Sequence, residues 1–100
     1  MSIKSKVKTI IENYFLCKEQ AHMICFSNGQ VNRENPFYIF YRDVEIAYYS
    51  LNNKEKFYFD NELLTKRTPK WWEPFYTKEE YEEIEKHALR NFMNKFNEIH

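Results

Sequence analysis

The chain of 100 residues carries 43% hydrophobic and 19% aromatic side chains, a length that fits one domain of the usual ~100 to 150 residues and a composition that excludes wholesale disorder. Fifteen basic and fifteen acidic side chains leave a formal net charge of zero, which excludes a global electrostatic footprint for nucleic acid or membrane and requires any such footprint to be local. No apolar run approaches the ~18 residues of a membrane span, and Met1 to Lys8 lacks the apolar region of a signal peptide, so a cytoplasmic protein without membrane engagement is expected.

A single helical domain over residues 1–100 is expected, divided into an N-terminal helical segment and loop (1–35) and a larger helical part (36–100). Val7, Ile10, Ile11, Tyr14 and Phe15 recur at helical spacing, with Ser2 or Ser5 available as a cap. Lys4, Lys6 and Lys8 then read as an exposed basic start: a solvated helix end is preferred to a phosphate-contacting arm. A further helical turn or two over Ala21 to Phe26 ends at Ser27, Asn28 and the only glycine, Gly29. Cys17 and Cys25 are read as free buried thiols. Cys17, His22 and Cys25 lack the fourth ligand of a structural zinc site, so no metal and no cofactor are expected.

After a polar loop, Asn35-Pro36 marks a helix start, because asparagine accepts from the free amides and proline at the first helical position loses no needed donor. Phe37, Phe40 or Tyr41, Val44, Ala47 or Tyr48 and Leu51 keep one apolar face, predicting a helix from Pro36 towards Ser50 over the β-strand that the aromatic run Phe37 to Tyr41 also permits. Asn52-Asn53 breaks it, and a short helix from Lys54 to Leu64 comes next. Pro69 opens a brief aromatic turn with Trp71, Trp72 and Phe75. Thr77-Lys78-Glu79-Glu80 is a capping box, and Tyr81, Ile84, Ala88, Phe92 and Phe96 carry the last helix to about Asn97. The expected fold is all-α, a compact bundle of four or five helices, with Phe15, Phe40, Val44, Ile46, Phe57, Leu64, Trp72, Ile84, Ala88 and Phe92 in its core.

Phenylalanine and tyrosine, with 9 and 8 copies against one glycine and three prolines, follow A/T-rich codons. Aromatic abundance therefore suggests an AT-rich genome before it suggests a binding surface. Charge is segregated: residues 1–35 and 65–78 are net basic, and 36–64 and 79–100 net acidic. Acids ahead of bases along the last helix follow the helix dipole.

The segments AYYSLNNKEKFYFDNELL and TPKWWEPFYTKEEYEEIEKHALRNFMNKF resemble short variants of sigma-factor region 4, and small ArpU-like helix-turn-helix proteins of phages, AT-rich Gram-positive bacteria and mollicutes. Thr77, Tyr81, Ala88 and Phe92 stand at the spacing of that family's recognition helix. The resemblance covers roughly the C-terminal half. It implies a non-enzymatic, transcription-associated protein with a C-terminal helix-turn-helix-like unit, bound to double-stranded DNA and RNA polymerase. Phosphate contacts would come from Lys66, Arg67, Lys70, Lys78, Lys86 and Arg90, while Trp71 and Trp72 would wedge the turn into the core. Recognition helices of the family are usually basic around the tyrosine, whereas Tyr81 stands among glutamates. The alternative is an all-helical interaction module that has lost DNA binding and docks another cytoplasmic protein through Glu79, Glu82 and Glu83. Scattered histidines (His22, His87, His100), no nucleophile elbow and no glycine-rich phosphate loop leave catalysis without a signature.

Overall fold

The computed structural model describes residues 2–28, 35–65 and 68–100, with the side chains of 21–28 outside that description. Its described residues form four α-helices and no strand: α1 (Ile3–Asn28), α2 (Pro36–Tyr49), α3 (Asn53–Phe59) and α4 (Lys78–Ile99), with a π-helical segment (Asp60–Leu64) continuing α3.

α1 is continuous where the sequence pattern suggests two shorter stretches. Between Leu16 and Asn28 the chain holds neither glycine nor proline, and Lys18, Glu19 and Gln20 are good helix formers, so nothing interrupts the ladder. Ser2 caps the start, its hydroxyl accepting from the Ser5 amide at 3.2 Å. α2 begins as its sequence dictates, with the Asn35 side chain accepting from the Phe37 amide and Pro36 in the first turn. The other two helices each carry a full capping box, Asn52 with Glu55 and Thr77 with Glu80.

The helix expected over Lys54 to Leu64 changes character halfway. Asn61 donates its side-chain amide to the Phe57 carbonyl at 2.8 Å, and the Thr65 amide closes a five-residue step onto the Asp60 carbonyl at 3.2 Å. The extra residue in this turn rotates the side chains beyond it, a device common where side chains must be aimed. Asp60 accepts from the Tyr48 hydroxyl, and Glu62 accepts from the Trp71 indole.

Val7 and Ile11 of α1, Val44 and Ala47 of α2, Tyr58 and Phe59 of α3, and Ala88, Leu89, Phe92 and Phe96 of α4 form the buried centre together with Leu51 and Trp71. Val44, Ala88 and Phe92 are buried as expected, while Phe40, Phe57, Leu64, Trp72 and Ile84 pack half-buried against this centre. Phe15 and Ile46 are not core residues: they are 50% and 41% exposed. The inward line of α1 runs Val7, Ile11, Tyr14, which leaves Phe15 on the flank with its ring edge against Tyr14. Likewise Asp43, Val44 and Ala47 form the inward side of α2 and turn Ile46 outward.

Aromatic rings meet mostly edge to face, as their quadrupoles favour. Phe59 lies 5.1 Å from Phe92, and Phe92 stacks on Phe96 at 6.1 Å. Phe92→Ala should cost about 3 to 5 kcal/mol, since a buried ring is lost and a cavity left behind. Phe15→Ala should remain within about 0.5 kcal/mol of the parent, and chemical denaturation of both variants would check the contrast.

Candidate functional site

The outer surface of α4 bears the side chains on which both the DNA-binding and the docking expectation depend. Glu79, Glu82 and Glu83 are exposed in its first two turns, followed by exposed Lys86 and Arg90. Spacings of three and four residues place these five side chains along one stripe of the helix. Lys70 and Lys78 are exposed nearby in the chain, Lys70 pairing loosely with Glu73 at 3.7 Å. Lys66 and Arg67 lie outside the described residues. Within the stripe, His87 Nε2 is 2.8 Å from Glu83 Oε1, and His87 Nδ1 is 3.0 Å from an Arg90 guanidinium nitrogen. An imidazole thus links an acid of the second turn to a base of the fourth.

Tyr81 occupies the opposite, inward side. Its ring stacks on Trp72 at 4.7 Å and 12°, and meets Trp71 and Tyr58 at 5.9 and 6.0 Å. Both tryptophans therefore pack from the 68–77 connection onto the first turns of α4. Trp71 is buried and Trp72 half-buried. The connection is held by short turns, including the Phe75 and Tyr76 amides donating to the Trp72 carbonyl, each at 2.9 Å.

Beneath this aromatic layer lies a polar cluster that the sequence does not reveal. Lys4 is expected in solvent with Lys6 and Lys8, yet only those two are exposed. The Lys4 ammonium is 3.0 Å from Glu62 and 3.1 Å from Glu85. Glu85 also accepts from the hydroxyls of Tyr58 at 2.8 Å and Tyr81 at 3.0 Å, and Glu62 from the Trp71 indole at 2.6 Å. The two carboxylates thus share one ammonium and receive three neutral donors.

The ionisation of these groups depends on that arrangement. Burial alone would lower the Lys4 pKa, but the hydrogen bonds and charges of Glu62 and Glu85 outweigh it and raise it. Burial alone would raise Glu62, but Trp71 and Lys4 hold it below the ordinary carboxylate range. Burial, then the charge and hydrogen bond of Glu85, push Tyr58 and Tyr81 well up, so both phenols remain donors. No signal of composition or periodicity marks this cluster, because its members are far apart in sequence.

Two further buried acids are satisfied. Glu55 caps α3 and accepts from the Asn91 side chain at 2.7 Å. Asp43, 2% exposed, accepts from Arg42 at 3.2 Å and lies 2.9 Å from His100 Nδ1. The His100 ring stacks on Phe96 at 4.8 Å. Cys17 is free and half-buried, its thiol pushed up by burial. The side chains of His22 and Cys25 lie outside the described residues, and no cluster of three potential metal ligands occurs among the described residues. None of the helices is long and apolar enough to cross a membrane, among the described residues.

No family model, curated protein or solved structure matches the chain.

Thr77→Ala should cost ~0.5 to 2 kcal/mol by removing the acceptor of the Glu80 amide, read as a lower melting temperature with an unchanged helical circular dichroism spectrum. The Lys4 cluster contributes stability that is present above the unfolded Glu62 pKa and lost as pH falls through its depressed folded value; on the alkaline side its contribution disappears as pH rises through the raised folded value of Lys4. Lys4→Met should cost about 1 to 3 kcal/mol near neutrality. It should also flatten the acid limb of a stability-against-pH curve below about pH 4.5.

Proposed function

We propose that this protein is a non-enzymatic, all-helical interaction module that docks a basic protein surface through the acidic first turns of α4. The observation carrying this reading is the division of α4: Tyr81 turns inward onto Trp72, while Glu79, Glu82 and Glu83 face solvent. A helix that reads a DNA groove presents its N-terminal residues to base edges among phosphates. Three exposed carboxylates there oppose that approach, whereas electrostatic complementarity favours a cationic protein partner and accelerates its encounter. Capping does not need these acids, because Thr77 and Glu80 hold the helix start. Their exposure is therefore available for recognition.

A second reading, a sigma-region-4-like protein acting on promoter DNA beside RNA polymerase, draws support from the exposure of Lys70, Lys78, Lys86 and Arg90. One pair of measurements separates the two. In the first, duplex DNA is titrated at ~50 mM salt, where non-specific phosphate contacts are strong; the docking reading expects no binding. In the second, Glu79→Gln, Glu82→Gln and Glu83→Gln together should abolish capture of the native partner, while Lys86→Ala with Arg90→Ala should leave it intact. Salt-sensitive DNA binding that falls in the Lys70→Ala, Lys78→Ala double variant would overturn docking in favour of the promoter reading, with a salt slope lower by about 0.9 for each lost phosphate contact.

A further inference from the structure

The charged stripe of α4 includes one side chain of the type whose charge changes near neutrality. His87 stands between Glu83 and Arg90, its Nε2 2.8 Å from Glu83 Oε1 and its Nδ1 3.0 Å from an Arg90 guanidinium nitrogen. A guanidinium has only donors, so Nδ1 must turn its lone pair to Arg90. An ionised carboxylate only accepts, so Nε2 must carry the proton. The neutral imidazole meets both demands, and the imidazolium meets only the second.

A proton on Nδ1 therefore changes two contacts at once. The ring then points a donor at the Arg90 guanidinium, so that hydrogen bond is lost and two positive charges face each other. The contact with Glu83 becomes an ion pair, which offsets the charge of a carboxylate that is 66% exposed. Glu79, Glu82 and Glu83 against Lys86 and Arg90 leave the stripe with one net negative charge, and the imidazolium cancels it. The other charged groups near the ring are Lys86 on α4 and, across a cleft of about 290 Å³ at the start of α3, Lys54 and Glu55. Both oxygens of Glu55 are engaged, by the Asn52 amide and the Asn91 side chain.

We propose that His87 makes docking through α4 sensitive to pH, an inference that rests on the docking reading above. The neutral ring leaves the Glu83 charge available to a basic partner, and the protonated ring withdraws it, so docking weakens as the solution is acidified. Histidine is suited to this role because its charge changes between about pH 5 and 8, whereas lysine, arginine and ordinary carboxylates keep theirs across the middle of that range.

Rhodamine-labelled octalysine is the probe, because lysine stays charged throughout, and its binding to the full chain is read by fluorescence anisotropy at ~50 mM salt. Binding at about pH 5.5 should be roughly two- to fivefold weaker than at about pH 7.5, the effect of one unit charge about 4 to 8 Å away in water. His87→Gln should abolish this difference, while His22→Gln and His100→Gln, which alter the other two histidines, should retain it. Nitrogen-15 resonances of the His87 ring at about pH 7.5 should show the proton on Nε2, and Arg90→Ala should shift the Nδ1 resonance. Equal binding at the two pH values, a pH effect that His87→Gln retains, a proton on Nδ1, or an Nδ1 resonance indifferent to Arg90→Ala would each overturn the proposal. Equal binding at both pH values that Glu79→Gln, Glu82→Gln and Glu83→Gln together still abolish would overturn the pH sensitivity and leave the docking reading standing. Octalysine that fails to bind at either pH would overturn both.

Discussion

One ammonium group between two carboxylates organises this small bundle. Lys4 belongs to the first turns of α1, Glu62 to the π-helical segment and Glu85 to α4, so their contact ties three separate elements together. Each carboxylate is partly withdrawn from water, and each would repel the other without the ammonium. Desolvating such groups is costly unless their hydrogen bonds are made. Here Tyr58, Tyr81 and Trp71 make them. The same tyrosine and tryptophan rings supply the apolar layer overhead, so packing and polar satisfaction are two ends of the same side chains.

That economy recurs through the fold. Tyr14 reaches Glu45, Tyr48 reaches Asp60, and Tyr58 and Tyr81 reach Glu85. In each case an aromatic body fills space while its hydroxyl meets a carboxylate, half-buried for Glu45 and Glu85 and exposed for Asp60. A chain with as many acids as bases and with 8 tyrosines can thereby bury acidic side chains without leaving them unpartnered. No buried side-chain polar atom among the described residues lacks a hydrogen-bond partner, which is the usual condition of a well-specified interior.

α4 divides the roles cleanly. Its inward line, Tyr81, Ala88, Leu89, Phe92 and Phe96, belongs to the aromatic layer and the core, and its outward line passes from glutamates to Lys86 and Arg90. Glu79 and Glu80 stand in the first turn, near the positive end of the helix dipole, where acids stabilise a helix. The same placement concentrates negative charge on one accessible patch. Helix stability and the proposed docking therefore draw on one charge pattern, and only substitutions that spare the capping box separate the two.

The sequence by itself determined the all-α class and the starts of α2 and α4. Asn35-Pro36 and Thr77 act through hydrogen bonds to amides two or three residues away, and such local chemistry is legible in any window that contains it. The periodicity of α4 is legible for the same reason, and it correctly places Ala88 and Phe92 inward. The tertiary structure alone decided the choice among several possible apolar faces. Phe15 and Ile46 suit a core as well as Ile11 and Ala47 do, and only the directions from which neighbouring helices approach exclude them. The π-helical segment, the burial of Lys4 and the pairing of Glu62 with Glu85 are likewise invisible in the sequence, because a lysine at residue 4 meets carboxylates at 62 and 85 only when three separate elements converge. Local rules span about one helical turn, whereas this cluster spans almost the whole chain.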